Sequence, residues 1–145
     1  MSEIYIVEKE LSYVIMKSAF EVHNALGPGF PEAIYEEAMN RELARNGVSL
    51  ERQKRIKVLY KDEPIGEFIL DNIADGRVIL EYKAVSEIAK IHEQQALSYL
   101  KATGLELAIV INFGAERVQS SRVVYNKDKK ARLSPRALLP RKPSK

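Results

Sequence analysis

Asp71, Glu81 and Lys83 are the residues whose types and spacing most directly suggest chemistry. Glu81 and Lys83 close an apolar run, Val78-Ile79-Leu80, and are separated by one residue. On a strand such residues point to one side and Tyr82 points to the other. Asp71 lies on the far side of an Asp75-Gly76 pair, a strong two-residue hairpin signal, so it should return close to the Gly76–Leu80 arm. Two carboxylates brought together this way suit a hard cation such as Mg²⁺ or Mn²⁺, whose remaining positions are filled by water or phosphate oxygens. A lysine beside them could orient or help deprotonate an attacking water, or offset charge building up on a phosphate. The triplet alone is weak evidence, because Asp-x9-Glu-x-Lys arises by chance in roughly 3% of chains of this length at ordinary abundances. Charges at a strand end facing solvent are the competing reading.

Two further groups could serve the same site. Glu32 and Tyr35 are three residues apart and share a helix face. His92, Gln95 and Tyr99 follow at spacings of three and four, forming a polar stripe on a helix. Gln95 and Tyr99 could hold phosphate oxygens or a reacting water, while His92 reads more simply as a surface or satisfied histidine. Glu36, Glu37 and Glu93 read most simply as a solvated acidic face.

The elements that must position these groups follow from periodicity. Residues 7–26 predict an amphipathic helix with Leu11, Val14, Ile15, Val22 and Leu26 mostly on one stripe. Gly27-Pro28-Gly29 should stop it, and a second helix should run from Pro31 to about Asn46. Alternation at Ile56, Val58 and Tyr60 predicts a strand, Lys61 to Pro64 a turn, Ile65–Ile73 a second strand, and Arg77–Lys83 a buried central strand. Residues 86–103 return to helix, with Ile88, Ile91 and Leu100 expected in its core stripe. Leu105–Gly114 reads as a buried strand and Val118–Tyr125 as an edge strand. Strand–helix–strand across 77–112 implies a right-handed crossover and a parallel pair within a mixed sheet. The fold class expected is α/β.

Composition narrows the function classes. The chain has 145 residues, 46% hydrophobic and 30% charged, and no cysteine. Disulfides, thiolate zinc sites and cysteine nucleophiles are excluded. No stretch approaches the ~20 apolar residues of a membrane span, and the N-terminus lacks a signal-peptide core, so a cytoplasmic protein without a membrane partner is expected. Eight Lys/Arg and one Asp between Lys127 and Lys145 give that segment +7, leaving −4 on residues 1–126 out of a total of +3. The division expected is a domain over 1–126 and a basic, flexible tail over 127–145 that could add salt-sensitive affinity for phosphates.

Gly29-Phe30-Pro31-Glu32-Ala33-Ile34-Tyr35 has the form GxxExxY and follows His23-Asn24-Ala25-Leu26-Gly27-Pro28. With Glu51-Arg52-Gln53, Ile65-Gly66-Glu67-Phe68, Asp71, Glu81-Tyr82-Lys83-Ala84, His92-Glu93-Gln94-Gln95, Tyr99 to Gly104 and Ile111-Asn112-Phe113-Gly114, the chain resembles the GxxExxY family of the PD-(D/E)XK nuclease superfamily. The resemblance runs from about Leu11 to Val124. It implies a restriction-endonuclease-like three-layer fold, a mixed central sheet flanked by helices. It also implies Asp71 and Glu81 as metal ligands, Lys83 as the superfamily lysine, Glu32 as the acidic residue supplied by an early helix, and Gln95 and Tyr99 as a Gln-x-x-x-Tyr pair. Leu70 stands where the superfamily label has proline, and Tyr82 is bulkier than usual. The function implied is metal-dependent hydrolysis of phosphodiester bonds in nucleic acid, with DNA the expected substrate. The alternatives are a non-catalytic nucleic-acid- or protein-binding module that keeps the fold, and an interaction protein forming a homodimer through the sheet edge near Ser121–Tyr125. Lys54, Arg55, Lys57 and Lys101 are the candidate basic rim.

Overall fold

The computed structural model describes residues 6–126; the basic segment 127–145 lies outside the described residues. The order of elements is α1 (Lys9–Leu26), α2 (Glu32–Arg45), β1 (Leu50–Tyr60), β2 (Glu63–Ala74), β3 (Val78–Lys83), α3 (Lys90–Thr103), β4 (Leu107–Asn112) and β5 (Gln119–Val124). The strands form one sheet in the order β1-β2-β3-β4-β5. Only β3 and β4 pair in parallel, the other neighbours being antiparallel. The strand–helix–strand unit expected from the sequence therefore forms.

Alternation along the strands splits the core in two. Val78, Leu80 and Tyr82 of β3, with Leu107, Ile109 and Ile111 of β4, pack beneath α1 and α2. Ile79, Ala108 and Val110 pack on the opposite face against Ala96 and Leu100 of α3. Both inner strands are thus apolar on both faces, which is why their sequences read as nearly continuous hydrophobic runs. The result is a three-layer α/β structure, as expected.

Turn chemistry sets the hairpins. Lys61 and Asp62, and then Asp75 and Gly76, have positive φ, the backbone of a type I′ turn. The Arg77 N–H donates to the Ala74 carbonyl at 2.9 Å across the second of these. Glu63, expected in the first turn, already belongs to β2.

The β1–β2 pair departs from simple alternation. Leu50 and Ala74 pack with the α1/α2 core, whereas Ile56, Phe68 and Leu70 pack with α3, although all five positions are even-numbered and simple alternation would put them on one face. The change of face falls at Gln53 and Asp71, the pair missing from the ladder between Arg52↔Asn72 and Lys54↔Leu70, where the register itself is unchanged. There Gln53 takes φ 55, a left-handed backbone that a non-glycine residue adopts at a cost of about 1 kcal/mol or more. The outer part of the hairpin thereby turns its apolar side onto α3, where Phe68 stacks on Tyr99 at 4.7 Å.

The third helix also differs from expectation. It begins at Lys90 rather than near residue 86, and Ile91 is 63% exposed instead of lying in the core stripe. Residues just after β3 are held by other bonds: the Val85 N–H donates to Asn112 Oδ1, Asn112 Nδ2 donates to the Val85 carbonyl, and the Ile88 N–H donates to Gln119 Oε1. Ile88 therefore packs from the loop before the helix.

Candidate functional site

The site grows from the place where β2 leaves β3. β2 pairs with β1 along nearly its whole length but with β3 only at Ile73↔Ile79 and Ala74↔Val78. Continuing that register by two residues sets Asp71 opposite Glu81, at a point where the ladder has already stopped. The strands part there, and side chains from both reach the gap. Asp71 sits at the pivot of the hairpin, where Gln53 Nε2 donates to its Oδ1 at 3.1 Å. Gln53 belonged to a stretch of the sequence resemblance, yet nothing in its local sequence signals a left-handed backbone or this bond.

Glu81 and Lys83 leave β3 on the side opposite Tyr82, as strand alternation predicts, and Tyr82 is buried in the α1/α2 core. Lys83 is fixed from behind. The Phe113 N–H donates to its carbonyl at 2.8 Å, and Gly114 packs so tightly that an added Cβ would lie 2.3 Å from the Val85 carbonyl oxygen. Glu32 is the first residue of α2. Its place depends on Tyr35, whose hydroxyl donates to the Gly27 carbonyl at 2.5 Å and accepts from the Phe30 N–H at 3.1 Å. Tyr35 itself is fully buried and stacks on Phe113 at 4.8 Å. In this chain the tyrosine of the GxxExxY pattern is thus an anchor for the loop that delivers the glutamate.

Electrostatics tie these groups together. Burial pushes Glu81 up to about 7, with the Lys83 ammonium opposing the rise and the charges of Asp71, Glu32 and Glu36 adding to it. Glu32 is raised too, chiefly by burial, against Lys83 and with help from Glu36 and Asp71. Tyr99 is raised by burial and by Glu81 and Asp71, while its hydrogen bond with Gln95 works the other way. The structure therefore brings Asp71, Glu81, Lys83, Glu32, Gln95 and Tyr99 into one neighbourhood. His92 lies on its border: burial and the Lys83 charge lower its pKa, and its Nδ1 accepts the Ala89 N–H at 3.0 Å, which caps α3.

The acidic face expected of Glu36, Glu37 and Glu93 divides. Glu37 is exposed and pairs with Arg41 at 2.9 Å, as a solvated residue should. Glu36 instead accepts from the buried Asn72 Nδ2 at 3.0 Å, and Glu93 accepts from the Ser121 hydroxyl. Both were misread because their partners lie 36 and 28 residues away in the chain. Of the candidate basic rim, Lys54 pairs with Glu51 at 3.2 Å and Arg55 with Glu67 at 2.9 Å, so local carboxylates already offset part of it.

The donor set fits a hard divalent cation. Glu81 takes no hydrogen bond or ion pair from any described residue, and Glu81 and Glu32, raised chiefly by burial and further by neighbouring carboxylates, are poorly solvated charges that a cation would offset. Among the described residues no group of three or more His, Asp or Glu forms a preformed cage.

No curated protein and no solved structure matches the chain. One family model does, that of the PD-(D/E)XK nuclease superfamily, over residues 9–123. The match takes in every element from α1 to β5, including the parted strands and the early helix that carry the acidic residues. The chain belongs to the PD-(D/E)XK nuclease superfamily.

Proposed function

We propose that the protein is a metal-dependent nuclease of the GxxExxY type that hydrolyses phosphodiester bonds, with DNA as its substrate and the cytoplasm as its location. The observation that carries this reading is Glu81: a half-buried carboxylate without a hydrogen bond or ion pair among the described residues, in register with Asp71 where the β2–β3 ladder has stopped, and under the influence of the Lys83 charge. Asp71 and Glu81 would hold Mg²⁺ or Mn²⁺, with Glu32 near enough in charge to assist. The bound ion would polarise a phosphate oxygen and acidify a water. Lys83 would orient that water and take up part of the charge developing on the phosphate. Gln95 and Tyr99, one turn apart on α3, would position the phosphate. Gln53 would hold the Asp71 carboxylate in one orientation. No helix of the described residues is long and apolar enough to cross a membrane. β5, an outer strand of the sheet, is the edge through which a homodimer would pair.

The test is incubation with labelled duplex, single-stranded and branched DNA and with RNA, each with Mn²⁺ or with EDTA. Cleavage that requires Mn²⁺ and disappears in Asp71→Asn is the expected result. Binding without any cleavage across the panel, unaltered in Asp71→Asn, would favour a module that keeps the fold without turnover.

A further inference from the structure

Four buried side-chain atoms have no protein partner among the described residues: Asn40 Nδ2 and Oδ1, Asn72 Oδ1 and Tyr82 Oη. Their residues are 8%, 1% and 4% exposed. Asn40 is on α2, and Tyr82 packs beneath α1 and α2. Asn72 Nδ2 donates to Glu36, which places this side chain against α2. Asn40 lies one helical turn beyond Glu36 on the same flank of α2. The Glu36 charge acts on the Tyr82 hydroxyl. Buried donors and acceptors without a protein partner are ordinarily met by ordered water.

The position of the Glu36–Asn72 bond matters for the site. Glu36 is one turn from Glu32 on α2, and Asn72 is adjacent to Asp71 on β2. Their charge-assisted, part-buried bond links the two elements directly. We propose that Glu36 is a positioning residue: its bond to Asn72, completed by water enclosed with Asn40 and Tyr82, fixes α2 against β2 and sets the spacing of Glu32 from Asp71. The positioning role rests on the metal reading given above; the enclosed water does not.

Two substitutions at Glu36 separate reach from charge. Glu36→Gln keeps the length and can still bond an amide, whereas Glu36→Asp keeps the charge and falls short of Asn72. Calorimetric titration of the full chain with Mn²⁺ should give Glu36→Gln an affinity within about threefold of wild type. Glu36→Asp should bind about tenfold more weakly, the loss typical of groups that orient metal ligands. Any other ordering, including equal losses in both, overturns the positioning role. Asp71→Asn serves as the control for the metal reading. If wild type takes up no Mn²⁺, that reading falls and the positioning role with it. The enclosed water is tested separately by Asn40→Leu. A lowered melting temperature is expected because water would lose its partners, and a raised one, as for a dry site relieved of unpaired atoms, overturns the enclosed water.

Discussion

Glu81 carries a charge in a place that resists it, and this has consequences for both stability and metal binding. Its carboxyl, raised by burial from 4.5 to about 7, holds a proton in the native state that the unfolded chain has already released. Native protein therefore binds more protons between pH 4.5 and about 7, and stability from this group falls as pH rises through that window. Without metal, Glu81→Gln should be more stable than wild type at pH 8, by at most about 3 kcal/mol. The two should melt together near pH 4. Thermal melts in EDTA at both values check this, and an equal loss at both would mean that Glu81 makes a favourable native contact instead. Because a cation must displace that proton, Mn²⁺ affinity should climb with pH up to about 7 and then level off. At the neighbouring position, Lys83→Ala should lower cleavage by about 10²-fold or more while leaving the melting temperature within a few degrees of wild type. Among the described residues Lys83 makes no ion pair within contact distance, so little native stability depends on its ammonium. Loss of fold together with activity would make it a structural lysine.

At the scale of elements, two local devices hold the site, and both can be broken singly. Tyr35→Phe removes one donor and one acceptor from the Gly27–Phe30 loop, leaving the Gly27 carbonyl and the Phe30 N–H without their partner. The cost should be about 1–3 kcal/mol, read as a fall of roughly 3–9 °C in melting temperature. Gly114→Ala should be worse. Its Cβ would meet backbone atoms of Val85 and Ala84 at 2.3 to 2.7 Å, and the chain beyond Lys83 has no flexible side chain to yield. A loss of about 2–3 kcal/mol or more, visible in denaturant melts, is expected. These devices also show what could be read from the sequence. Asp75-Gly76 announces its turn through residue types that favour positive φ, and β3 and β4 announce burial through unbroken apolar runs. The reversal of face at Gln53 does not announce itself, because a glutamine in left-handed backbone is chosen by the packing of Phe68 and Leu70 on α3. Ile91 fails for a related reason: the helical period places it correctly, but the helix starts late and its first turn stands clear of the sheet. Asp71, Glu81 and Lys83 were legible because strand spacing and a hairpin suffice to bring them together. Glu36 and Asn72 were not, since their bond depends on how α2 lies over β2.

For the whole molecule, charge is distributed against the expected substrate. Residues 1–126 carry −4 and residues 127–145 carry +7. Within the domain, Lys54 and Arg55 are already paired with carboxylates. A polyanion approaching the parted strands thus meets Asp71, Glu81, Glu32 and Glu36 with Lys83 in their midst, and divalent ions would be needed to make the approach favourable. Non-specific attraction should come mainly from the basic segment through release of counterions from the nucleic acid. Replacing Lys127, Lys129, Lys130 and Arg132 by Gln removes four positive charges without touching residues 9–123, the span of the family match. Fluorescence anisotropy with duplex DNA in EDTA, across a series of salt concentrations, should then show the slope of log affinity against log salt reduced by up to about 3.6. The melting temperature should stay unchanged. An unaltered slope would place the phosphate contacts on the domain itself, at Lys57, Lys101 and Lys83, and the basic segment would then have no part in holding the substrate.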